Sequence, residues 1–232
     1  MLHEIVLVVD NDPNVDPFRD SIMKFRLTYS GILLSSGNET KDAKAPHKHD
    51  VRMAFHPQLK RLWEVTPFLK RGRSSYNGNT WAGVDVKAEP PRTPNELAKI
   101  FQQRPWNFVP LVTQEMDFYC GIEVLILRPG SRKALFSQGD IDGRLKTLLD
   151  ALSKPDDNQG YGERHFKKKS ENPLYVLLEN DKQITKVTVE TDTLLQPLNP
   201  EVPNLYGEND VRLVIAVSLA PVEPANWSMP YL

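Results

Sequence analysis

The sequence predicts an α+β protein with a single mixed β-sheet flanked by helices. Three observations carry that expectation. Four stretches rich in β-branched and apolar residues read as strands: Phe25–Ser35, Phe118–Arg128, Gln183–Thr193 and Val211–Leu219. Two others carry apolar residues at helical spacing, Arg52–Lys70 and Ile141–Leu152. The two kinds of segment interleave irregularly, with no internal repeat and no coiled-coil heptads.

In chain order, residues 1–24 form an N-terminal extension. Its stretch Ile5–Val15 ends in acids and a proline, which suits a short strand or extended arm closed by a turn. A receiver domain is excluded there, because the candidate acceptor Asp50 follows no apolar strand. A calcium loop is excluded too: with Asp10 as first ligand, Val15 falls on the required glycine and Ser21 on the final acid. Gly37–Lys48 is polar and reads as a loop. The helix Arg52–Lys70 presents Met53, Phe55, Leu59, Leu62, Trp63, Val65 and Phe68, with Pro57 and Pro67 obscuring its ends. Arg71–Pro105 has little periodicity apart from a short helix, Asn95–Gln102, opened by Thr93 and Pro94. Phe108–Gln114 is a further strand. After the helix Ile141–Leu152, the charged segment Lys154–Pro173 reads as a loop, and Leu174–Leu178 as an apolar strand. The domain is expected to run over 25–221, with insertions at about 71–114 and 154–173 and an irregular tail at 222–232.

Composition is that of a globular chain, 40% hydrophobic and 25% charged, long enough at 232 residues to bury a substantial core. No apolar run approaches the ~18–20 residues that span a bilayer. The start carries neither a basic leader nor a small-residue cleavage site, so no signal peptide is read. A single cysteine, Cys120, excludes an internal disulfide and a multi-cysteine zinc site, and its apolar strand makes it a buried thiol. Together these point to the cytoplasm and away from a membrane partner. The net charge of −1 conceals an uneven distribution. Residues 1–20 and 201–232 are acidic, whereas 21–200 hold 27 bases against 21 acids. The bases cluster at Lys60–Arg61, Lys70–Arg73, Arg132–Lys133, Arg144–Lys146 and Arg164–Lys169. Each cluster alone fits a solvated face; together they could follow a phosphate backbone.

The chemistry concentrates in Gly139–Ser153. Asp140 and Asp142 stand at the mouth of the apolar helix, and Lys146 and Asp150 follow Asp142 at four-residue steps along one helical face. Further on, Glu179 and Asp181 precede a β-forming run. Carboxylates converging from a helix start and a strand start can hold Mg²⁺, which takes a few carboxylates together with waters and phosphate oxygens. The plainer reading is also open: Asp at a helix start caps free N–H groups, and Asp142, Lys146 and Asp150 can be surface ion pairs.

The segment Gly139, Asp140, Asp142, Lys146, Asp150, Ala151, Leu152 resembles the signature of the RusA-type Holliday-junction resolvases: Gly-Asp-x-Asp-Asn, a lysine four residues after the second Asp, then Asp-Ala-Leu. The family's later Asp-Asp-x-Gln-Ile/Val motif is matched by Asn180, Asp181, Lys182, Gln183 and Ile184 leading into Thr185–Val189. A second Asp-Asp-x-Gln string, Asp156–Gln159, is set aside because Gly160 and Gly162 follow it rather than a strand. Gly143 stands where the family has Asn, Asn180 stands for the first Asp of the later pair, and the spacer is long. The resemblance covers roughly Phe25–Lys70 and Phe118–Leu219.

The resemblance implies a RusA-like fold and a homodimeric endonuclease that cuts branched DNA with Mg²⁺, or Mn²⁺ in its place. It implies Asp140, Asp142 and Asp181 as metal ligands and Lys146 as the phosphate-neutralising catalytic lysine. Asp150 and Glu179 are accessory candidates; in an extended chain Glu179 would share a face with Asp181. Arg132, Lys133, Arg144, Lys146, Lys167, Lys168 and Lys169 are the candidates for contacting nucleic acid. The rival reading is a catalytically weakened RusA-like module that binds DNA or a protein. Other chemistries lack support: no P-loop or Gly-x-Ser-x-Gly string occurs. His47 and His49 read as solvated loop histidines, and the four tryptophans as packing residues, with stacking on a base open to an exposed one.

Overall fold

A computed structural model of the chain describes residues 23–36, 41–66, 69, 93–103, 106–114, 118–129, 141–155, 172–195 and 209–221. The elements are β1 (Met23–Ile32), α1 (Lys41–Val65), α2 (Pro94–Ile100), β2 (Gln102–Gln103), β3 (Trp106–Val112), β4 (Phe118–Arg128), α3 (Ile141–Leu152), β5 (Leu174–Leu178), a single 3-10 turn (Asp181–Gln183), β6 (Ile184–Thr193) and β7 (Asp210–Pro221). The expected α+β class holds. Almost all of the expected N-terminal extension, most of the 154–173 loop, the irregular tail and the decoy at 156–159 lie outside the described residues; Asp50 lies within α1.

The single expected sheet is two mixed sheets. The larger has the order β1-β7-β4-β6, with β1 and β4 antiparallel to β7 and β6 parallel to β4. The smaller has the order β2-β3-β5, with β3 and β5 parallel. Helix α1 explains the division, because its side chains bond to strand backbone in both. Gln58 accepts from the Thr28 N–H (2.9 Å) and donates to the Thr28 carbonyl (2.7 Å) on β1. His56 Nδ1 accepts from the Tyr175 N–H on β5 at 3.0 Å. A helix bonded along the edges of two sheets replaces the ladder that would otherwise join them.

Helix α1 is also longer than the sequence pattern indicates, beginning in the stretch read as a loop, and it contains both Pro46 and Pro57. Each proline removes a ladder hydrogen bond at a cost of ~3 kcal/mol. Against this, Val51, Phe55, Leu59 and Trp63 recur every four residues, and all are at most 3% exposed. Burying four such side chains contributes about 6–12 kcal/mol, enough to offset both prolines.

The core gathers the inward residues of β1, β4 and β7 with α1, α3 and the ends of β3 and β5. On β4 the alternation is plain: Cys120, Ile122, Val124 and Ile126 are buried while Glu123 is exposed. Strand β3, placed in an expected insertion, is part of the core, and Trp106 and Phe108 pack with Leu174 and Val176. Thr93 opens α2 with a capping box, its hydroxyl accepting from the Glu96 N–H while the Glu96 carboxylate accepts from the Thr93 N–H at 2.7 Å.

Candidate functional site

The boundaries of α3 are those the sequence predicts, Ile141–Leu152. Leu148, Ala151 and Leu152 face the core, while Asp142 and Lys146 lie on the exposed side one turn apart. Gly143 is buried, and its carbonyl accepts from the Ser36 N–H at 3.0 Å and from the Thr147 hydroxyl at 3.2 Å. The first turn of α3 is thereby tied to the segment that leaves β1.

Arg144 corrects an expectation. It is 4% exposed, and its guanidinium donates to the Leu33 carbonyl and, at 2.8 Å, to Asn209 Oδ1. It joins α3 to the end of β1 and the start of β7, so it belongs to the fold and not to a DNA-contacting surface. Asp150 is likewise engaged: its carboxylate pairs with Lys48 Nζ at 2.5 Å. Beside it, Arg52 donates to the carbonyls of Asp150 (2.8 Å) and Ser153 (3.1 Å), which satisfies groups left open at the C-terminal end of α3. The partners Lys48 and Arg52 carry no local signal, since they stand about a hundred residues from α3.

The C-terminal end of α3 is fixed to β5 by a parallel bridge between Ser153 and Leu178 and by the Lys154 N–H donating to the Leu178 carbonyl at 2.9 Å. The turn that follows β5 lies against α3 and β4. Asn180 caps this turn: its Oδ1 accepts from the Lys182 N–H at 2.9 Å, and Gln183 Oε1 accepts from the Asn180 N–H at 3.1 Å. The residue that departs from the family's acid thus performs a capping task that Asp also performs. The chain is not extended at Asp181, so the expected shared face with Glu179 does not form. Glu179 instead holds β3 beside β5: its N–H donates to the Val112 carbonyl, and its Oε2 accepts from the Gln114 N–H at 2.8 Å.

Asp142, Lys146 and Asp181 are exposed, and among the described residues none of the three has a side-chain hydrogen bond or ion pair. Asp140, Arg132, Lys133, Lys167, Lys168 and Lys169 lie outside the described residues. Among the described residues no three His, Cys, Asp or Glu side chains gather as a metal-binding group. No described helix is long and apolar enough to cross a membrane.

The histidines read as solvated are packed. His47 Nε2 accepts from the Leu34 N–H at 3.1 Å, and His49 is buried with its ring 5.1 Å from that of Trp106. Trp63 and Trp106 are buried as expected. Cys120 is buried as expected, and desolvation pushes its thiol up to about 12. Comparison with protein-family models, with curated proteins and with solved structures finds no match.

Proposed function

We propose that this chain is a Mg²⁺-dependent endonuclease acting on branched DNA, of the kind the RusA-type resolvases represent. One contrast supports the reading. The two accessory acids of the motifs are engaged in the fold, Asp150 with Lys48 and Glu179 with the Gln114 N–H. The described acids within the implied metal-ligand set, Asp142 and Asp181, are exposed and uncommitted on neighbouring elements. A structural role would give these carboxylates partners; a metal-binding role needs their oxygens available.

The donor chemistry fits a hard cation: Asp142 and Asp181, with Asp140 of the same motif, offer only carboxylate oxygen. Bound there, Mg²⁺ or Mn²⁺ would supply an activated water and charge relief at the phosphodiester. Lys146, one turn beyond Asp142, is suited to neutralise a non-bridging oxygen as charge develops. Lys182 extends the positive charge beside Asp181. A homodimer would present two such sites to a junction of two-fold symmetry.

The test is cleavage of a synthetic four-way junction by the purified chain, with Mg²⁺, with Mn²⁺ and with chelator. Metal-dependent paired nicks that disappear in Asp142→Asn are the expected result. Tight junction binding without nicks in any metal would replace this reading with that of a binding module.

A further inference from the structure

Along one stripe of α3 the charges alternate at four-residue steps: Asp142, Lys146, Asp150. Neighbours at this spacing have Cβ atoms about 5–6 Å apart, close enough for a salt bridge. Lys146 therefore has an acid within reach on either side, yet it pairs with neither. An amine that neutralises a phosphate oxygen has to be free in this way.

The Asp150 carboxylate is held from another element. Lys48, on α1, meets it with Nζ at 2.5 Å, and the two side chains keep only 17% and 14% of their surface. Arg52, one turn further along α1, donates to the carbonyls of Asp150 (2.8 Å) and Ser153 (3.1 Å), which fixes α1 against the end of α3 and sets Lys48 over Asp150. A carboxylate this shielded needs a cation. With Lys48 removed, Arg52 remains engaged on the two carbonyls. Lys154, four residues beyond Asp150, has left the helix: its N–H bonds the Leu178 carbonyl and its amine lies 3.5 Å from the Pro155 carbonyl. The remaining cation on the same face of α3 is Lys146.

We propose that Lys48 is a positioning residue: by holding Asp150 it keeps the Lys146 amine free to meet a phosphate oxygen. The use made of Lys146 rests on the nuclease reading; its freedom rests on the Lys48–Asp150 contact. A metal bound at Asp142 would engage the acid on the other side, so Asp150 is the carboxylate that competes for Lys146.

Competitive acetylation of the full chain with acetic anhydride, read residue by residue by mass spectrometry, measures the freedom of Lys146 without DNA or metal. Lys24, exposed on β1, is the internal reference. An amine held on a carboxylate is acylated more slowly than one in water. In Lys48→Met, Asp150 should capture Lys146 and lower its acylation rate about fivefold. The rate should return to the wild-type value in Lys48→Arg, which keeps the cation, and in Lys48→Met/Asp150→Asn, which removes the competitor. Single-turnover cleavage of a four-way junction at saturating protein should follow the same order, about fivefold down in Lys48→Met and restored in the other two. A loss that came only from the broken α1–α3 contact would appear in Lys48→Met and in the double variant alike, and would overturn the proposal. Unchanged Lys146 acylation in Lys48→Met overturns it whether or not the wild type cuts DNA. So does a Lys48→Met variant that cuts at the wild-type rate. Acylation that falls and recovers, beside a wild type that never cuts, upholds the guarding of Lys146 and overturns the nuclease use of it.

Discussion

Arg144 gives the sharpest separation between fold and function, because it stands two residues from Asp142 and two from Lys146 in a segment that reads as a functional motif. Its guanidinium is 4% exposed and donates to the Leu33 carbonyl and to Asn209 Oδ1. Replacing it with Met keeps much of the volume and removes both bonds, leaving the buried Leu33 carbonyl and the half-buried Asn209 amide without their donor. A hydrogen bond from a charged group contributes ~1.5–3 kcal/mol, so the loss should be about 3–5 kcal/mol. With a urea slope of about 2 kcal/mol/M, the unfolding midpoint should fall by about 1.5–2.5 M. Lys146→Met, on the exposed side of the same helix, should stay within about 0.5 kcal/mol of wild type. Urea titration followed by far-UV circular dichroism checks both. An Arg144→Met variant as stable as wild type but impaired in DNA binding would refute the assignment of Arg144 to the fold.

Cys120 should resist a soluble thiol reagent at pH 8 in the native state and react at the rate of a free thiol in urea, because burial raises its pKa to about 12 and leaves little thiolate; equal rates in the two states would contradict this. The Lys48–Asp150 pair should show a coupling of about 1 kcal/mol in a double-mutant cycle of denaturant midpoints, since both side chains are largely shielded, 17% and 14% exposed. Zero coupling would reduce it to a surface pair. Asn180→Ala should cost about 1 kcal/mol through loss of the cap, while Asn180→Asp should be near neutral, as either side chain can accept from the Lys182 N–H.

Local pattern made α3, β4 and β5 legible residue for residue, because each carries a clean apolar period between clear breakers. The start of α1 was not legible. Lys41–Lys48 has no apolar stripe and contains Pro46; it is helical because His47 accepts from the Leu34 N–H and His49 packs on Trp106, contacts made only in the folded chain. The division into two sheets was hidden for the same reason, since it depends on Gln58 and His56 reaching strands far away in sequence. In the candidate site, the positions of Asp142 and Lys146 followed from helical spacing. The burial of Arg144 did not, because a basic residue in an amphipathic helix reads as exposed until its partners at Leu33 and Asn209 are known. Asp181 was expected on an extended chain, but Asn180 and Gln183 cap each other and bend it into a turn.

The central claim is that Asp142 and Asp181, on neighbouring elements, serve one metal-dependent reaction. Single-turnover cleavage of a four-way junction in Mg²⁺ by the wild type, Asp142→Asn, Asp181→Asn and the double variant tests it most directly. Groups acting as a unit are non-additive, so each single change should lower the rate at least about 100-fold and the double change should be little worse than either. A wild type without metal-dependent cleavage, or single variants that keep its rate, would contradict the account.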